Sequence, residues 1–480
     1  MKRTMSKLLS IILASVMVIS LTACGGKGNS EKNDDKWWST TGELEKDSNG
    51  NVVFNNVDVA LTTIVTGADE TVFNNLVAKF NAEYAGKIHV TMTSVAENSI
   101  DSTLASQISN NSNAPDLIMS HQKRLNSLAD QKLLQPFDEI FEQSGIEISM
   151  SDFSNNMAEH VGLGYEDSVM GIPIDAQSCV VFYNKELLNK YGGEIPRSHS
   201  ELIALCEKVA KGEGILPIAM ASNISFFAEY VFNTAVLQNG GYFYGEDYRA
   251  DWYDNETNRK AIKDALTSIR DLTDHTPQLA ASGWGVAAAL NEFLDNKALF
   301  YISLPWELNE TIEGYASLNG GTVESVKAEK IGVTSMANWL ALEEGTEAGK
   351  IIYGDSHFFA MSSTVKKAEV KAAICEFVRW FTTNAEAGAA WAEAGHVSVS
   401  TVILTDPIYN SNEFVKNYVN HFYSDMNYFQ CLGVTPYFKD MSEALKKLYV
   451  DSMNDGSSGD EDNIKEAQDN LNTKIDFIGM

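Results

Sequence analysis

Eight histidines, five cysteines and 65 Asp and Glu residues are the groups in this 480-residue sequence that could carry proton transfer, nucleophilic attack or metal ligation. Their spacing supports none of these chemistries. The histidines are scattered, with no i, i+4 pair to set two imidazoles on one helical face around a metal. No HExxH, GxSxG or GxGxxG pattern occurs. Gly345-Thr346-Glu347-Ala348-Gly349-Lys350 has one residue too few for a phosphate-cradling loop, and Ile351 stands where Ser or Thr would bind magnesium. A glycosidase carboxylate pair is defined by a separation in space, so a secreted carbohydrate-active enzyme stays as an alternative without positive support. Neither metal nor cofactor is expected.

The cysteines divide into two groups. Cys179, Cys206, Cys375 and Cys431 form no CxxC pair, so no zinc cage or redox motif is indicated. Their even number permits two disulfides, but Cys206 and Cys375 sit on helical apolar patterns, and free buried thiols are expected. Cys24 is different. Lys2, Arg3 and Lys7 precede an uncharged apolar run from Leu8 to Ala23, the charged and apolar regions of an export signal. The run closes on Leu21-Thr22-Ala23-Cys24-Gly25, which resembles the bacterial lipobox, so residues 1–23 are read as a signal peptide and Cys24 as the lipidated first residue. Residues 24–56 then read as a lipid-anchored tether on the outer face of the cell membrane, small and polar at first. Trp37-Trp38 is expected to pack back on the body or to rest near the membrane interface.

Composition narrows the partners. Lys and Arg number 36 against 65 acids, a net charge of −29, and losing the three cations of the signal peptide makes it −32. Phosphate backbones need clustered cations, so nucleic acid is excluded as the main partner. A hydrophobic share of 44% with a mean hydropathy of −0.17 belongs to a globular chain with ample core.

Val57 to Val65 reads as a strand ending at Gly67, and Val72, Leu76, Val77 and Phe80 then fall at helical spacing. Ile88 to Val95 alternates as a second strand. A polar helix near Ile100 to Asn110 leads to a third short apolar run, Leu117-Ile118-Met119. Alternating strands and helices predict a mainly parallel α/β sheet, with a ligand rim beyond its strand ends at Gly67 to Glu70, Ala96 to Asn98 and Ser120 to Arg124. A second lobe is expected from Gly171-Ile172-Pro173 onward, and helical patterns dominate the latter half. Asp455 to Asp462 lacks the ligand alternation of an EF-hand and reads as a solvated loop before a last helix, Asn463 to Leu471.

The order of several segments resembles the extracellular solute-binding proteins that deliver carbohydrates to ATP-driven importers, related to maltodextrin-binding proteins. It rests on Gly67 to Phe80; on Ala114-Pro115-Asp116-Leu117-Ile118 with Leu133-Leu134; on Gly171 to Asp175 with Phe182-Tyr183-Asn184-Lys185; and on Phe293 to Ala298 leading to Pro305-Trp306. The resemblance covers nearly all of residues 57–480. It implies a two-lobe periplasmic-binding-protein-like fold with an interlobe hinge and ligand cleft. Lobe 1 would comprise 57–170 and 355–402, and lobe 2 would comprise 171–354 and 403–480. It also implies a monomeric, non-catalytic receptor that closes on a sugar or oligosaccharide and presents it to the permease subunits of an ABC importer.

Matched position by position, the resemblance makes Trp306 a stacking platform and Asp175 an acceptor near the crossover. Asp69 and Glu70 follow the first strand's glycine; His121 and Arg124 follow the third strand. Phe226, Tyr230, Trp284, His357 and Tyr437 complete the candidate ligand set. Local sequence offers plainer roles for several of them: helix capping for Asp69 and Glu70, a turn for Asp175, surface positions for His121 and Arg124, and core packing for Phe226, Tyr230 and Trp306. Two departures argue against a maltodextrin ligand. His199 replaces a packing tryptophan, and Ser120 stands where relatives carry an aromatic ring.

Overall fold

The computed structural model describes residues 36–165, 167–212, 214–221, 227–245, 247–276, 284–423 and 425–478. The expected signal peptide, Cys24 and Phe226 lie outside these residues. Residues 38–480 form one unit. Its strands, in chain order, are β1 (Val57–Thr63), β2 (Ile88–Ser94), β3 (Leu117–His121), β4 (Leu134–Gln135), β5 (Ile172–Pro173), β6 (Asp175–Ala176), β7 (Val180–Asn184), β8 (Leu216–Met220), β9 (Ala298–Ser303), β10 (Ile331–Thr334), β11 (Ile352–Tyr353), β12 (His357–Ser362), β13 (Val397–Ser398) and β14 (Phe429–Gln430).

The first sheet runs β2-β1-β3-β12-β4, with β5 added beside β12. β1 is parallel to β2 and β3, with Val59 opposite Val90 and Leu61 opposite both Met92 and Leu117. Helices joining parallel strands must cover the sheet. The Gly67–Glu83 helix does so with Phe73, Leu76, Val77 and Phe80, all buried. Gly67, at φ +64, makes the turn into it. β12 enters antiparallel, far along the chain, and its register sets His357 directly opposite His121. The second sheet runs β10-β7-β9-β8 and is mainly antiparallel, with only β8 and β9 parallel.

Two adjacent segments carry the chain between the sheets. One leaves β5 through β6 and Gln177 to β7; the other leaves β11 through Asp355 and Ser356 to β12. They are tied by paired backbone hydrogen bonds between Gln177 and Asp355, both 2.9 Å. β5 lies beyond the expected lobe boundary at residue 170 yet still pairs with β12.

Four expectations are corrected. The third strand extends to His121, so His121 ends a strand and Arg124 lies in the Gln122–Asp130 helix, not in a loop. Residues 38–41 are not part of a free tether: Trp38 packs back on the body as expected, its Nε1 donating to Glu139 Oε2 at 3.2 Å, and Thr41 exchanges backbone hydrogen bonds with Lys366 and Ala368. The last helix spans Asp460–Ile478 rather than starting at Asn463. Asp460 is buried, not solvated, because Arg270 grips both its oxygens at 2.6 and 2.8 Å. Cys179, Cys206, Cys375 and Cys431 are all buried thiols.

Candidate functional site

The chain turns sharply after β9. Pro305–Glu307 forms one tight turn, fixed by the Glu307 carboxylate, which accepts from the Tyr301 hydroxyl at 2.6 Å and the Ser303 hydroxyl at 2.5 Å. This sets the Trp306 indole, half-buried, on the wall of a groove of about 930 Å³. The Gly67–Glu83 helix forms the facing wall with Asp69 and Asn75, and Asn309, Glu310 and Glu313 continue beyond Trp306. The groove therefore joins an element following the first sheet's β1 to one following the second sheet's β9. Its chemistry is a flat ring beside carboxylates and amides.

Behind the groove lies a buried polar network centred on the crossovers. Asp175 is fully buried and accepts three hydrogen bonds at 2.8 Å: the His357 backbone N–H on Oδ1, and His357 Nδ1 and Trp391 Nε1 on Oδ2. His357 stacks on His121, its cross-strand partner, with centroids 4.7 Å apart. His396 packs edge-on to His357 at 5.4 Å, stacks on Trp391 at 4.0 Å and on Trp306 at 5.9 Å, and reaches Asp69 Oδ2 with Nε2 at 3.3 Å.

Burial alone would drive the His357 imidazolium down, but the Asp175 carboxylate beside it carries its pKa above the ordinary histidine value. Burial alone would raise Asp175; its two histidine neighbours, His357 above all, bring it below the ordinary aspartate value. His121 goes the other way, well below the usual histidine value, through burial and the nearby positive charge of His357, Lys123 and Arg124. It is thus a neutral ring whose Nδ1 accepts from Gln177 Nε2 at 3.0 Å. Asp175, His357 and His396 each offer one ligand atom within 4.8 Å of the others, a metal-compatible spacing, with His357 Nδ1 and His396 Nδ1 at 2.8 and 3.5 Å from Asp175 Oδ2. That carboxylate oxygen already receives the N–H groups of His357 and Trp391, which take up the acceptor sites a cation would need.

A second buried group bridges the crossover and the far side. Lys123 Nζ pairs with Glu229 and, at 2.8 Å, with Asp355. Desolvation opposes the charge on Lys123, yet the two carboxylates keep its pKa well above the usual lysine value. Glu229 is correspondingly held low by Lys123 against its own burial, whereas burial wins at Asp355 and its pKa is raised. Beside this triad opens a smaller groove of about 510 Å³, where Arg124 pairs with Glu97 at 2.9 Å and Asp101 at 3.3 Å.

Among the residues expected from sequence, Asp69 and Trp306 meet at the larger groove, and Arg124 lines the smaller one. His121, Asp175 and His357 gather in the buried network behind them. Asp175 is a buried anchor for His357 and Trp391 rather than a turn aspartate. Glu70 sits in the helix's first turn and lines neither groove. Burial pushes the Tyr230 phenol well above its usual value beside Lys123 and Glu229. Trp284 and Tyr437 pack, half-buried, against apolar core, and Pro436 and Phe438, not Tyr437, line the smaller groove.

Sequence reasoning missed Lys123, Gln177, Glu229, Asp355, Trp391 and His396. Lys123 stands between two residues that were singled out, and Asp355 two before a third, so adjacency was the available signal there. Nothing local marks Trp391 or His396.

Residues 75–417 match the family model described as "Bacterial extracellular solute-binding protein". A curated relative, a probable sugar-binding periplasmic protein of Mesorhizobium japonicum, is 25% identical over 149 residues. That alignment covers 30% of this chain and only 34% of the relative. Among solved structures, the sugar-binding protein MalE of Xanthomonas citri superposes with a TM-score of 0.69 at 14% identity, covering 88% of this chain and 99% of that one. The GacH receptor of Streptomyces glaucescens, solved unliganded and with acarbose, superposes at 0.65 and 19% identity over 87% of this chain and 98% of its own. These structures share the two-lobe binding-protein fold, and the family match over most of its length makes this chain a member of the bacterial extracellular solute-binding proteins.

Proposed function

We propose that this protein is a non-catalytic sugar receptor, which captures a mono- or oligosaccharide by lobe closure and presents it to the permease subunits of an ABC importer. The observation that carries this reading is the Trp306 indole on a groove shared by elements of both sheets and flanked by Asp69, Asn75, Asn309, Glu310 and Glu313. Sugars offer apolar C–H faces to a ring and hydroxyls to carboxylates and amides, so this pairing suits them. Binding that favours the closed state shifts the lobe equilibrium toward it. The sugar-binding name of the curated relative points the same way.

The proposed lobes are 57–170 with 355–402 and 171–354 with 403–480, turning about the segments that link β5 to β7 and β11 to β12. The Leu21-to-Gly25 motif supports anchoring through a lipid on Cys24 outside the cell membrane, with the receptor acting as a monomer.

Calorimetry of residues 36–480 against a panel of mono- and oligosaccharides tests the reading. Saturable binding without product, weakened at least about tenfold by Trp306→Ala, is expected. Heat accompanied by glycan cleavage, or no binding across the panel, would overturn it.

A further inference from the structure

We propose that His396 is the positioning residue of the Trp306 groove, holding the indole of one wall and the carboxylate of the other at a set separation. The inference rests on the sugar-receptor reading for its purpose, but its geometry stands alone. The His396 ring is sandwiched between Trp391, at 4.0 Å and 8° between planes, and Trp306, at 5.9 Å and 18°. Its Nε2 points at Asp69 Oδ2, 3.3 Å away. Trp306 follows β9 of the second sheet and Asp69 follows β1 of the first. His396, next to β13, touches both.

The backbone around His396 is built for this contact. Gly395 has φ +95, and a Cβ there would lie 2.4 Å from the Trp306 amide nitrogen and 2.7 Å from the Pro305 carbonyl carbon. Only glycine lets the turn approach the Pro305–Trp306 backbone so closely. On the other side Trp391 is held by its N–H bond to Asp175, which is itself locked to β12 through His357. The crossover network thus ends, through one imidazole, at the two groups that offer stacking and hydroxyl recognition. His396 need not touch the sugar to set its affinity.

The test uses the full chain with His396→Phe, which keeps a ring between the indoles and removes Nε2; His396→Gln, which keeps an N–H for Asp69 and removes the ring; His396→Ala; and Asp69→Asn. Trp306 emission is isolated in unliganded protein as the difference between each chain and the same chain carrying Trp306→Phe, and its quenching by acrylamide is followed. Affinity is measured for the sugar that binds the unsubstituted chain best. His396→Gln and His396→Ala are expected to raise Trp306 quenching and to weaken binding about tenfold. His396→Phe should leave quenching unchanged but weaken binding as much as Asp69→Asn does, with no further loss when the two are combined. Unchanged quenching and affinity in the Gln and Ala variants would overturn the proposal while leaving Trp306 as the sugar platform. Should the unsubstituted chain bind no sugar, increased quenching in those variants would still uphold the positioning role and only the sugar reading would fall; unchanged quenching would overturn both.

Discussion

His357 Nδ1 donates to Asp175 Oδ2 across 2.8 Å, although 182 positions separate them in the chain. Both are almost fully buried where the chain crosses between the sheets. The bond joins β6 on the outgoing crossover to β12 on the return, so the crossover strands are clamped by a charge pair as well as by backbone ladders.

Because the Asp175 pKa is lowered, its share of stability is present above the ordinary carboxyl value of 3.8 and is lost as pH falls through its folded value. Because the His357 pKa is raised, its share is full below 6.5 and is lost as pH rises through its folded value. The pair is therefore complete between those limits, with His396 and neutral His121 packed around it. Asp175→Asn is expected to lower stability by about 3–5 kcal/mol within that window. Thermal unfolding followed from pH 4 to 9 should show the gap between the two proteins narrowing above pH 6.5; a gap that stays constant would rule out the charge pair.

Lys123 stabilises two buried carboxylates at once. Lys123→Met would leave Asp355 and Glu229 without the lysine they share, with only Lys446 at 4.0 Å from Glu229, and a loss of about 3–5 kcal/mol is expected in denaturant unfolding. Adding Glu229→Gln and Asp355→Asn to that variant should recover part of the loss, since the repulsion and the unpaired charges disappear together. A triple variant no more stable than the single one would show that packing, not charge, is what Lys123 supplies.

Gly395→Ala places a methyl 2.4 Å from the Trp306 nitrogen in a backbone region costly for alanine. Gly193, at φ +85 with nothing within 4 Å of a built Cβ, is the control, as it carries the backbone cost alone. Gly193→Ala is expected to cost about 1 kcal/mol and Gly395→Ala about 3 kcal/mol. Equal thermal shifts for the two would remove the close approach as an explanation.

Asp460 illustrates a local reading that fails. Its neighbours Glu461 and Asp462 face solvent, but the Asp460 side chain is only 2% exposed under the guanidinium of Arg270. Asp460→Ala is expected to cost about 3 kcal/mol by stranding Arg270. Glu461→Gln should leave the unfolding midpoint where it was, and a comparable shift in both would mean that the bidentate pair contributes nothing special.

Much of the architecture was already legible along the chain. β1, β2, the Gly67–Glu83 helix and the Ile100–Asn110 helix follow from side-chain periodicities of 2 and 3.6, which report which face is buried within a few residues. The segments around Asp175 and Trp306 came from ordered short motifs; Trp306 lines the larger groove and Asp175 lies in the buried network behind it. What the tertiary structure alone decided is which distant groups meet. Asp175 became an anchor because β12 and Trp391 arrive from 182 and 216 positions away. The charge on Lys123 is compensated only because Glu229 and Asp355 arrive from elsewhere in the chain. Hydrophobic periodicity is a short-range property of the chain, whereas the energy of a buried charge depends on what surrounds it in three dimensions. For that reason many of the strands and helices could be read from the sequence, and the network that joins the two sheets could not.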